Sequence, residues 1–99
     1  MTRKRMTVRK IIQQYLKMEL ANGGSLIRNS DMVKVMNFGR KNYGIYHSVG
    51  TYERELRRMK ASMEAFNEIG VIDLQDVSSK FVSNEKVLIM RRDPDLFRY

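Results

Sequence analysis

Apolar side chains recur along this chain at two spacings, and the change from one to the other divides it. In "TVRKIIQQYLKMEL", residues 7–20, Val8, Ile11, Ile12, Tyr15 and Leu16 follow the i, i+3, i+4, i+7, i+8 series. That series gathers them on one side of an α-helix. Arg9, Lys10, Gln13, Gln14 and Lys17 fall away from the stripe. Thr7 is placed to cap the start, and the glycines of "ANGG" to stop it. "SLIRNS" reads as a short extended piece or a turn. Asn29 or Ser30 is then in position to cap a second short helix, "DMVKVMNF", with Asp31 in its first turn and Met32, Val35 and Met36 inward. "GRKNYGIYH" carries two glycines and an asparagine, and reads as a loop from Gly39 to His47.

A third helix is predicted over residues 48–69, capped by Ser48 or Thr51 and ended by Gly70. Tyr52, Leu56, Met59, Met63 and Phe66 are spaced 4, 3, 4 and 3 apart, which confines them to one narrow arc. The opposite arc holds Arg54, Arg57, Arg58, Ala61 and Ala65, with Glu53, Glu55 and Lys60 on the flanks. Past Gly70 the period falls to two. "VIDLQ" alternates and "KVLIM" is a short apolar run, so both suit strands. The polar "DVSSKFVSNE" between them has Ser83 and Asn84 as turn residues and room for a third short strand near 80–82. The end, "RRDPDLFRY", holds the only proline and reads as irregular.

Ninety-nine residues make one domain. The pattern divides it into a basic arm (1–6), a folded domain (7–92) and a tail (93–99). With 42% hydrophobic residues, no Trp and eight Met, the expected core is modest in size and adaptable in packing.

Charge changes the picture more. The formal net charge is +8, and Arg3, Lys4, Arg5, Arg9, Lys10 and Lys17 fall in an opening stretch with no acid. Such an excess makes a polyanion the expected partner, nucleic acid before membrane surface. No apolar run approaches the roughly 20 residues that span a bilayer, and no apolar region follows the basic N-terminus as in a secretory signal. The absence of Cys rules out disulfides and thiolate metal sites and fits an intracellular setting, the cytoplasm or nucleoid of a host cell.

Three helices followed by a hairpin, from about Ser25 to Arg92, resemble the winged helix-turn-helix superfamily of DNA-binding domains. The sharpest stretch is "GTYERELRRMKASMEAFNEIGVI", similar to a recognition helix running through a glycine into the first wing strand. The small, very basic chain also looks like many phage-encoded regulators. The resemblance implies an α+β fold: a three-helix winged helix-turn-helix with a C-terminal β-hairpin wing. It implies a double-stranded DNA-binding protein, a transcriptional regulator whose third helix enters the major groove. The matching positions are Thr51, Arg54, Arg57 and Arg58. One departure is the Gly39–His47 loop, longer than the turn of about 3–4 residues between such helices.

The residues themselves support and qualify this. Arg presents a planar fork that binds guanine through two hydrogen bonds, and an α-helix fits the major groove. Ser48 and Thr51 sit at a helix start, where amides meet phosphate. The bland alternative is a solvated face with weak pairs, Glu53 with Arg57 and Glu55 with Lys60. Arg3, Lys4 and Arg5 form an arm that either follows a phosphate backbone, enters a minor groove, or is a soluble tail. Lys80, with Ser78, Ser79, Ser83 and Asn84, offers wing contacts, opposed by Asp76 and Glu85. Arg40 and Lys41 are expected exposed and able to meet phosphate. Tyr43 and Tyr46 could bond phosphate or stack on single-stranded bases, but Tyr46, with Ile45, is expected to fold back over the core. Leu96, Phe97 and Tyr99 could anchor a partner or pack on the first helix.

No catalytic constellation appears. His47 is the only histidine and has no acidic cluster beside it, and no paired carboxylates, phosphate-cradling glycine motif or serine nucleophile motif is present. The expectation is a binding protein, not an enzyme, with no metal and no cofactor. Two other partner classes stay open: an acidic protein such as a polymerase or nuclease, gripped by a winged-helix interaction module, and RNA or single strands. The pattern also leaves room for a homodimer.

Overall fold

The computed structural model describes residues 6–78 and 86–93. Helix α1 runs Val8–Ala21, and the Thr7 hydroxyl accepts the Lys10 amide at 3.2 Å to cap it. Its stripe of Ile11, Ile12, Tyr15, Leu16 and Leu20 is buried. Asn22 closes the helix and Gly23, at φ 87°, turns the chain away. The "SLIRNS" piece is a strand at its centre: β1, Leu26–Arg28, with Ile27 inward and its neighbours outward. The Asp31 carboxylate then accepts the Arg28 amide at 2.8 Å, which joins β1 to the next helix.

Helix α2 spans Asp31–Tyr43 and buries Met32 and Val35. It runs through Gly39, where a loop was expected. Gly39 is a point of close approach and not a break. A Cβ there would lie 2.6 Å from the Tyr52 hydroxyl and 3.3 Å from Ile11 Cγ2. The residue that ends α2 is Gly44, left-handed at φ 62°, with its amide on the Arg40 carbonyl at 3.1 Å. The expected Gly39–His47 loop is therefore the shorter Gly44–Ser48 turn.

Helix α3 spans Val49–Ser62 and buries Tyr52, Leu56 and Met59. The expected single helix over 48–69 is broken. Met63 adopts the left-handed conformation at φ 60°, and a short helix, α4, follows over Glu64–Asn67. The left-handed residue shifts the helical phase, so Ala65 is fully buried instead of lying beside the arginines. A left-handed non-glycine residue costs about 1–2 kcal/mol, offset here by burial of Ala65 and Phe66 and by a clamp from α1. Gln13 Nε2 donates to the Ala65 carbonyl at 2.9 Å and to Glu68 Oε2 at 2.8 Å. Gln13 is thus buried, against the expectation that it faces away from the core.

Gly70, at φ 87°, leads into β2, Val71–Ser78, which pairs antiparallel with β3, Lys86–Arg92, across a bulge between Val71 and Asp73. On its other edge β3 pairs antiparallel with β1, so Ile27 lies opposite Leu88. The sheet order is β1-β3-β2. The architecture is α+β, with four helices and a three-stranded antiparallel sheet among the described residues, where three helices and a hairpin were expected. One core joins the layers, from Ile11, Leu16 and Met32 through Tyr52 and Phe66 to Ile27, Leu88 and Met90. The Arg92 guanidinium, donating to the Leu20 carbonyl at 2.9 Å, ties β3 to the end of α1. The 80–82 strand and the Leu96, Phe97 and Tyr99 anchor lie outside the described residues.

Candidate nucleic-acid interface

Helix α3 has one side fixed by the core and one side free. With Tyr52, Leu56 and Met59 inward, Arg54, Arg57, Arg58 and Ala61 come together around one shallow, open depression. All four are exposed. The small Ala61 keeps that surface low beside the three guanidinium groups.

The ion pairs on α3 differ from the expected ones. Glu55 Oε1 accepts Arg9 Nε of α1 at 3.2 Å, and Glu55 Oε2 stands 4.0 Å from Arg58 Nη1. Arg58 nevertheless keeps 79% of its side chain exposed. Lys60 pairs with Asp76 of β2 at 3.0 Å, not with Glu55. Packing brings in partners from α1 and β2 that a helix considered alone does not have. Among the described residues, Arg54 and Arg57 have no carboxylate partner, and no Glu53–Arg57 pair forms. Glu55 is drawn toward Arg9 of α1 and Lys60 toward Asp76 of β2, and neither neutralises Arg54 or Arg57.

At the start of α3, Ser48 Oγ accepts the Thr51 amide at 3.4 Å and lies 3.1 Å from Thr51 Oγ1. The two hydroxyls expected to meet phosphate are thus engaged with each other and with the cap. What this end offers an anion is chiefly its first amides, which have no intrahelical acceptor at any helix start.

Before α3, Arg40 and Lys41 are exposed at the end of α2, as expected. Tyr46 is not over the core. It is 73% exposed, with the Arg40 guanidinium 5.6 Å from its ring centre. Ile45 alone turns inward and packs on the core. Tyr43 stacks edge-on against Phe38, and Phe38 against Tyr15. His47 is exposed, with its ring edge-on to Tyr52 at 6.5 Å. Burial pushes the Tyr52 phenol above its usual pKa, an effect that Arg40 partly opposes. Its hydroxyl is buried without a hydrogen-bond partner among the described residues.

Arg3, Lys4, Arg5, Lys80 and the wing residues Ser79, Ser83, Asn84 and Glu85 lie outside the described residues. Asp76 is described and pairs with Lys60. For two residues the sequence suggests a different placement: Glu55 with Lys60, and Tyr46 over the core. Glu55, the acid that gathers Arg9 and Arg58, was signalled only by being an acid among bases. Tyr46 was misplaced because an aromatic beside Ile45 reads as core by composition.

Among the described residues, no group of three His, Asp or Glu side chains could hold a metal ion, and no helix is long and apolar enough to cross a membrane. Compared with protein-family models, with curated proteins and with solved structures, the chain matches none.

Proposed function

We propose that this chain is a winged-helix protein that binds double-stranded DNA and regulates transcription or a related DNA transaction, with α3 in the major groove. The observation that carries this reading is the division of α3. Its inner face is locked by Tyr52, Leu56 and Met59, and its outer face presents Arg54, Arg57 and Arg58 around one open depression. Arg54 and Arg57 have no carboxylate to satisfy among the described residues. The Gly44–Ser48 turn adds support, because it brings the connection closer to the tight turn of about 3–4 residues in helix-turn-helix domains than the expected Gly39–His47 loop. So does β1, which holds the hairpin against the helical layer through its pairing with β3.

Affinity and specificity then have separate sources. Arg40, Lys41 and the α3 start neutralise or bond phosphates and set the register on the duplex. Arg54, Arg57 and Arg58 reach base edges, where a guanidinium reads guanine through two bonds. Glu55 is a positioning residue that restrains Arg58 from the flank.

The test is selection of bound duplexes from a random pool, with light scattering for mass, followed by Arg54→Ala and Arg58→Ala on the selected site. Each substitution is expected to cost about 1–3 kcal/mol there and to relax the preference at one base position. An equal loss on every sequence assigns these side chains to the backbone. Absence of duplex binding at moderate salt, together with stoichiometric capture of an acidic protein, overturns the reading.

A further inference from the structure

A pocket of about 370 Å³ opens beside the α2–α3 turn, lined by Met6, Gly44, Ile45, Tyr46 and His47. Its chemistry is unlike that of the arginine face. Tyr46 is the most exposed large hydrophobic side chain among the described residues, at 73%. Arg40 covers one face of its ring from 5.6 Å, and at that exposure the rest of the ring stays accessible. The backbone carrying it is fixed on the N-terminal side. The Gly44 amide bonds the Arg40 carbonyl at 3.1 Å and the Ile45 amide bonds the Gly39 carbonyl at 3.3 Å. A backbone held this way limits the ordering that a partner stacking on the ring must impose.

Charge indicates what stacks. Residues 1–18, which include Met6, contain no acid, and neither do residues 32–52, which include the rest of the wall and, outside it, Lys34, Arg40 and Lys41. The pocket is therefore bordered by two acid-free segments, a setting suited to a polyanion carrying planar groups. Ser48 begins the α3 cap two residues beyond Tyr46. Two residues span at most about 7 Å, roughly two nucleotide steps along one strand of a duplex. A phosphate on the α3 amides and a base on Tyr46 can thus belong to neighbouring nucleotides. Inside a duplex both faces of a base are covered by its neighbours, so away from the ends only an unpaired base offers a free face.

We infer that the α2–α3 turn is a second nucleic-acid site, which stacks one unpaired DNA base on Tyr46 beside the duplex held by α3. This rests on the DNA-binding reading and narrows it to duplex with an unpaired nucleotide at its flank.

The experiment uses the full chain and a set of otherwise identical duplexes. One unpaired 2-aminopurine is stepped through successive positions, and a fully paired duplex serves as reference, all at one ionic strength. At one position the affinity should rise about tenfold over the paired duplex, with quenching of the 2-aminopurine emission. Tyr46→Ala should abolish the difference between the unpaired and the paired duplex, and the quenching with it, whatever loss of the ring beneath Arg40 does to both alike. Tyr46→Phe, which keeps the ring, should retain both. If the paired duplex binds and no unpaired position improves on it, the stacking site is wrong while duplex recognition stands. An equal loss for Tyr46→Ala on paired and unpaired DNA is also fatal to the stacking site. If no duplex binds at all, the parent reading fails with it.

Discussion

A methyl group on Gly39 would stand 2.6 Å from the Tyr52 hydroxyl, itself buried and unpartnered among the described residues. Both atoms sit where α1, α2 and α3 meet, and Tyr52 has no exposed surface into which to swing. Gly39→Ala should therefore destabilise the protein by about 1–3 kcal/mol, despite the gain of about 1 kcal/mol that alanine brings to a helix interior. Tyr52→Phe should stabilise it by about 1 kcal/mol, because it removes a buried hydroxyl without a bond. In the Tyr52→Phe background the Gly39→Ala penalty should shrink by more than 1 kcal/mol, a coupling that urea melts of the four proteins measure. Strictly additive effects would show that the two groups do not meet. Tyr15 makes a different forecast. Burial, then the negative charges of Glu19 and Asp31, push its phenol up to about 12. A pKa raised in the folded state means stability fully present below about pH 10 and lost as pH climbs toward 12. Urea midpoints measured through that window should fall less for Tyr15→Phe than for the parent, by roughly 2–3 kcal/mol in total.

At the scale of elements, the break at Met63 has a consequence that two alanines can report. Ala61 is exposed and Ala65 fully buried. Ala65→Leu should overpack the junction of α1 and α4 and cost about 1–3 kcal/mol. Ala61→Leu should stay within about 0.5 kcal/mol. Similar thermal shifts for the two would mean that one unbroken helix runs through Met63. This is also where the limits of legibility are clearest. The stripes of α1 and α3 were readable because a period of 3.6 is written in adjacent residues. The break was not, since Met63 and Phe66 continue the same spacing across it and the stabilising clamp comes from Gln13, 52 residues before Ala65. Gly39 was misread because a glycine needed for close approach looks, in sequence, like a glycine that ends a helix. β1 was legible only as extended, because its partner β3 lies roughly 60 residues further along the chain. Of the candidate site, the outward arginines followed from the stripe opposite them. The diversion of Glu55 and Lys60 to α1 and β2 depended on tertiary packing.

The whole molecule carries a net charge of +8, and none of the described ion pairs involves Arg54 or Arg57. Binding to duplex should therefore be driven by counterion release. If about six phosphates are neutralised, log K should fall against log[salt] with a slope of about −5. A slope near zero in fluorescence titrations from low to moderate salt would remove electrostatics as the source of affinity. The sheet order has a bearing on how the protein comes into being. Among the described strands, the central one is the last the ribosome makes. Until Lys86–Arg92 emerge, β1 and β2 have no mate in the sheet, and their backbone amides and carbonyls are open to any passing edge. The helices can collapse during translation, but the pairings of residue 26 with residue 89 and of residue 78 with residue 86 both wait for β3. A nascent chain stalled before that point is the species from which aggregation should start, and the one a chaperone would be needed to shield.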